Sequence, residues 1–147
     1  MGYMKDKTSK QTLEQLEQNL SERIQVLYLT QLGHQPNKVS CQLIDKTLTI
    51  VVENPITQPE QLLVQSGKRE LAEQVRFNIH KAFQPQLKVL IEDVIGVELI
   101  ELVGDSQLHT GRTIIIAILA ATPKMITPST LAKTKQQQTV SDSDSDE

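Results

Sequence analysis

The sequence predicts an α+β fold: a four-stranded, mainly antiparallel sheet of two hairpins with helices on one face, in the order α-β-β-α-α-β-β. Three observations carry this. Two stretches with apolar residues at three- and four-residue steps, each opened by a capping signal, read as amphipathic helices. Strand-like stretches pair off on either side of the longer helical block. Composition then changes abruptly at Thr122, which marks where the folded part stops.

Taken in order, residues 1–11 are polar, without pattern, and read as a flexible N-terminus. Thr12-Leu13-Glu14-Gln15 is a capping box. Leu13, Leu16, Leu20, Ile24 and Leu27 then mark one face of a helix that ends at Gly33, with Pro36 preventing its resumption. Val39, Cys41 and Leu43 alternate with polar residues, and Leu48, Ile50 and Val52 alternate with Thr47, Thr49 and Val51. Asp45-Lys46 joins the two runs as a hairpin, which Asn54-Pro55 ends.

The helical block runs from Thr57 to Gly96. Thr57-Gln58-Pro59-Glu60 is its capping box, and Ser66-Gly67 separates a short helix (59–65) from a longer one beginning near Lys68. Leu71, Val75, Ile79 and Ala82, then Leu87, Leu90, Ile91 and Val94, give the stripe expected to be buried. Lys68, Arg69, Glu70, Glu73, Arg76 and Lys81 fill the other faces. Pro85 either starts a new helix or kinks a continuous one. After Gly96, residues 97–103 are strand-like, 104–111 read as a polar loop, and the isoleucines of 113–119 suit a strand buried on both faces. The folded domain is thus 12–121. Residues 122–147, with a glutamine run and alternating Ser-Asp, form a disordered acidic tail that either solvates the domain or docks on a basic partner.

Composition narrows function more by exclusion than by pointing. A net charge of −3 argues against nucleic acid as a partner, and the four aromatics (Tyr3, Tyr28, Phe77, Phe83) leave little for base stacking. The longest apolar run, Ile114 to Ala121, is far short of the roughly 20 residues that span a bilayer, so no membrane insertion is expected. With no secretory signal and the single Cys41, a cytoplasmic location follows. His34, His80 and His109 lack metal-ligand spacing and read as solvent-facing. No metal or other cofactor, and no enzyme, is indicated. The most site-like stretch is the 104–112 loop, where Asp105, His109, Thr110, Gly111 and Arg112 could hold an anion. The same residues are common turn formers, and the turn reading is the heavier one. Two open sheet edges, with surplus leucines at the end of the first helix, predict a homodimer.

Leu32-Gly33…Pro36…Val39 leads into the first hairpin. Ile56-Thr57…Pro59-Glu60-Gln61-Leu62, Gly67-Lys68-Arg69-Glu70-Leu71…Val75-Arg76, Ile91-Glu92…Ile95-Gly96-Val97 and Asp105…Thr110-Gly111 follow in that order. Together these resemble the bacterial MpsC-like family, over about Leu13 to Leu119. That resemblance implies a small, soluble domain named from a sodium-translocating, membrane-potential-generating system linked to inorganic-carbon supply. It implies no catalytic residues, and it implies a membrane transport subunit as partner. The chain departs from the pattern at Arg112, where family members usually carry an acidic residue.

Overall fold

Both capping boxes read from the sequence form, and each starts a helix where its residues place it. The computed structural model describes residues 12–123; the expected flexible N-terminus and nearly all of the expected acidic tail lie outside them. The elements are α1 (Leu13–Leu32), β1 (Lys38–Ile44), β2 (Thr47–Glu53), α2 (Gln58–Gln65), α3 (Arg69–Ile95), β3 (Leu99–Gln107) and β4 (Arg112–Leu119). Glu17–Pro123 folds as one compact unit. Thr12 and Gln15 exchange backbone-to-side-chain hydrogen bonds of 3.1 Å at the first turn of α1.

The sheet has the order β1-β2-β4-β3 with every neighbouring pair antiparallel. Asp45 makes the β1–β2 turn at φ 55°, a left-handed conformation that Asp tolerates better than most residues. Leu48, Ile50 and Val52 of β2 and Ile115, Ala117 and Leu119 of β4 point to one face and are buried there. Leu20, Ile24 and Tyr28 of α1 and Phe83, Leu87 and Ile91 of α3 are buried with them. Tyr28 meets Phe83 edge to face, centroids 4.7 Å apart and planes at 88°, a favoured arrangement for aromatic quadrupoles.

Helix α1 also closes one side of the sheet. Ser21 Oγ donates to the Val39 carbonyl at 2.8 Å and Glu17 Oε2 accepts from the Leu43 N–H at 2.9 Å. These are β1 backbone groups that would otherwise be left open at an edge.

Several expectations are corrected. In the first half of α3 the buried face is Ala72, Arg76, His80 and Phe83, one position on from the expected stripe, and Leu71 and Ile79 are exposed. At Arg76, acceptors in the core outweigh the apolar count. Of the two alternatives left open at Pro85, the structure takes the continuous helix, which Gly96 ends at φ 83°. Strand β3 runs on to Gln107, so the expected loop shrinks to the turn Leu108–Gly111. Strand β4 is not buried on both faces: Ile114 and Ile116 are 46% and 36% exposed, because helices cover only the other side. No helix among the described residues is long and apolar enough to cross a membrane.

Candidate functional site

Five elements converge on a buried polar cluster beneath the start of α2. The Thr57 hydroxyl accepts the Glu60 N–H at 3.3 Å, and Glu60 Oε1 accepts the Thr57 N–H at 2.8 Å. That geometry turns the Glu60 carboxylate inward, where it is 4% exposed. Arg76, on the inner face of α3, reaches it with Nη1 at 2.9 Å. The same guanidinium donates through Nε to Ser106 Oγ of β3 at 3.0 Å and through Nη2 to the Asn54 carbonyl just after β2. Ser106 Oγ lies 2.7 Å from Thr113 Oγ1 on β4. One side chain thus ties α2, α3, the end of β2 and β3 together, and Ser106 extends the link to β4. A buried charge needs this degree of pairing, since an unpartnered one is strongly disfavoured.

His80 sits one turn after Arg76 on the same helix face and is 3% exposed, not solvent-facing as the missing metal spacing suggested. Its ring packs against β3 at Gly104, where an added Cβ would lie 3.2 Å from Nε2. Neither ring nitrogen makes a hydrogen bond within the described residues, and neither does Asn54 Oδ1. Both residues line a cavity of about 40 Å³ together with Tyr28, Glu60, Arg76 and Ser106, room enough for a few waters. Burial holds the imidazole below its ordinary pKa, with a smaller push from Lys81. The nearby Gly104 backbone and Asp105 act the other way. Burial likewise pushes the Tyr28 hydroxyl up to about 12, although Thr113 and Arg76 favour its ionised form. At neutral pH the cluster therefore holds a neutral imidazole and a protonated phenol beside the Arg76–Glu60 salt bridge.

The site expected at 104–112 is divided by the sheet. His109, Thr110 and Gly111 line a surface groove of about 390 Å³, joined by Pro55, Ile56, Gln61 and Arg69. Asp105 and Arg112 do not line it. Asp105 accepts from the Ser106 N–H at 2.9 Å and from the Gln107 amide, and Arg112 pairs with Glu53 at 3.3 Å. Gly111 is required by the turn: at φ 72° it approaches Pro55 so closely that a Cβ would stand 3.1 Å from Pro55 Cα. Sequence reasoning missed Arg76 and His80, since an arginine and a histidine among leucines read as a solvated face. No local pattern announced them: the Glu60 oxygen that takes the Thr57 N–H in the cap is the same Oε1 that takes Arg76. Among the described residues no group of three or more His, Cys, Asp or Glu is placed to hold a metal ion.

Over residues 12–121 the chain matches the family model described as Na+-translocating membrane potential-generating system (MpsC). No curated protein and no solved structure matches it.

Proposed function

The chain belongs to the MpsC family, and from that premise we propose that it is a non-catalytic, cytosolic accessory domain of a sodium- or bicarbonate-linked membrane-potential-generating transport system. One observation carries the non-catalytic part: Arg76, the cation buried beside the cavity, is held on three acceptors of the protein itself. Two titratable groups, Tyr28 beside that cavity and Cys41 on β1, support the same reading. Tyr28 and Cys41 are both pushed up to about 12, far from the near-neutral pKa that suits an acid, base or nucleophile. On this reading the charged core holds α2 against the sheet, and the domain works through its surfaces. The test is native co-purification from membranes together with deletion of the gene. A transport subunit should be recovered and membrane potential should fall. Recovery of none, with potential and carbon uptake unchanged, refutes the link.

The second reading is a small-anion sensor or enzyme at the 104–112 loop. It is favoured by the convergence of His109, Thr110 and Gly111 with Arg69 on one groove. Thermal-shift screening with bicarbonate, phosphate and nucleotides tests it. A ligand at 100 times its Kd adds about 2.7 kcal/mol of stability, so a flat screen refutes it.

A further inference from the structure

The face of the sheet turned away from the helices is a regular lattice whose rows follow from the strand register. Glu53 of β2 stands beside Arg112 of β4, then Val51 beside Ile114, then Thr49 beside Ile116. On β3, Val103 continues the row of Ile116 and Asp105 the row of Ile114. Val103, Ile114 and Ile116 are 50%, 46% and 36% exposed, so the middle of the face is apolar and open. Its rim carries the Glu53–Arg112 pair.

We propose that this face binds a second copy of the chain, the two sheets packing face to face about a two-fold axis that runs along the strands. The choice of axis comes from charge. Rotation about an axis along the strands lays β2 of one copy over β4 of the other in the same row. Glu53 then covers the second copy's Arg112 and Val51 covers the second copy's Ile114, each twice by symmetry. Rotation about an axis across the strands instead sets Arg112 over the second copy's Ile118 and Asp105 over its Val103, burying charges on apolar side chains. The first arrangement also lays Ile44 over the second copy's Glu101 at the far end of the face, so what selects it is the opposed Glu53–Arg112 row. Both rotations keep the strands nearly aligned, as packed sheets prefer, so charge decides between them. Pairing through sheet edges, the route expected from the sequence, is obstructed at β1, where Glu17 and Ser21 occupy the edge groups. Four strands at about 4.8 Å and seven residues at about 3.4 Å give a flat footprint of about 450 Å². That is modest beside the roughly 800 Å² per partner of a standard interface, so the dimer dissociates on dilution.

Sedimentation velocity of the full chain across micromolar concentrations tests this, with circular dichroism confirming that each variant folds. The wild type should move from the 16.5 kDa chain mass toward twice that value as concentration rises. Ile116→Lys, on the open face of a central strand, should stay monomeric. Glu53→Arg and Arg112→Glu should each weaken dimerisation at least tenfold, because each places like charges over one another. Mixed in equal amounts they should recover it, since the heterodimer again opposes Arg to Glu at both positions. A wild type that remains at the chain mass throughout overturns the proposal. So does an Ile116→Lys variant that dimerises like the wild type, as it would if β3 edges paired. A mixture no better than its parts overturns the axis and with it the proposal.

Discussion

Replacing Arg76 with Met removes the cation but keeps most of the side chain's length and apolar bulk. Glu60 is then left 4% exposed with the Thr57 N–H as its remaining partner, while Ser106 Oγ and the Asn54 carbonyl each lose a charged donor. Breaking a buried ion pair from one side costs about 3–5 kcal/mol, and side-chain exposures of 4% and 5% leave no solvent screening to reduce that. Against a total stability of about 5–15 kcal/mol the loss is large. It corresponds to a fall in Tm of about 12–20 °C at about 4 °C per kcal/mol. Urea unfolding followed by circular dichroism measures it. The double variant Arg76→Met/Glu60→Leu should recover a substantial part, because replacing both members of a buried pair is often neutral or stabilising. A single variant that loses less than about 1 kcal/mol, or a double variant no more stable than the single, refutes the idea that the pair organises the core.

Other consequences follow from neighbouring groups. His80 has a lowered pKa in the folded state, so below about pH 6.5 the unfolded chain binds a proton that the folded one does not, and stability falls as pH drops through that region. Urea midpoints at pH 7.5 and 5.5 should therefore differ more for the wild type than for His80→Leu; an equal difference refutes this. Gly104→Ala places a Cβ 2.5 Å from the Ile114 carbonyl oxygen and 3.2 Å from the His80 ring, so it should destabilise by about 1–3 kcal/mol as overpacking does. An unchanged melting temperature would contradict it. Cys41 is pushed up to about 12 by burial and by the charge of Glu17, so a thiol reagent at pH 8 should label native protein at least about a hundredfold more slowly than unfolded protein. Comparable rates would show that the thiol is open.

Wherever backbone chemistry and alternation agree, the fold was legible from residues. Thr12, Thr57 and Gly96 set helix ends through local hydrogen bonds and a left-handed cap that no distant contact needs to supply. The alternation of Val39–Leu43 and Leu48–Val52 set both strands of the first hairpin. Legibility failed where tertiary contacts override the apolar count. Counting hydrophobics along α3 selects Leu71, Val75 and Ile79, yet the core takes Arg76, because acceptors from Glu60, Ser106 and Asn54 wait there, and His80 follows it one turn on along the same face. Strand β4 defeats the count differently. Isoleucine on both faces reads as double burial, and nothing local to Ile114 or Ile116 says that one face stays uncovered. The groove at His109 and the cluster at Arg76 share the same obstacle: each is assembled from residues far apart in the chain, and one sequence carries no record of which meet.

The seam between β2 and β4 joins residues at least 59 positions apart along the chain, the separation of Glu53 and Arg112, whereas each hairpin closes within a few. Hairpins form within microseconds once their turns are set, but the seam must wait until α2 and α3 bring the two halves side by side. Closing so wide a loop is entropically unfavourable before any contact repays it. A preformed α3, 27 residues long and so about 40 Å from end to end, turns most of that loop into a rod and lessens the search. The expected slow step in folding is the zipping of one hairpin onto the other along Ile50 and Ile115. Truncating those two side chains should slow folding, while loosening the Asp45 turn should leave the rate nearly unchanged.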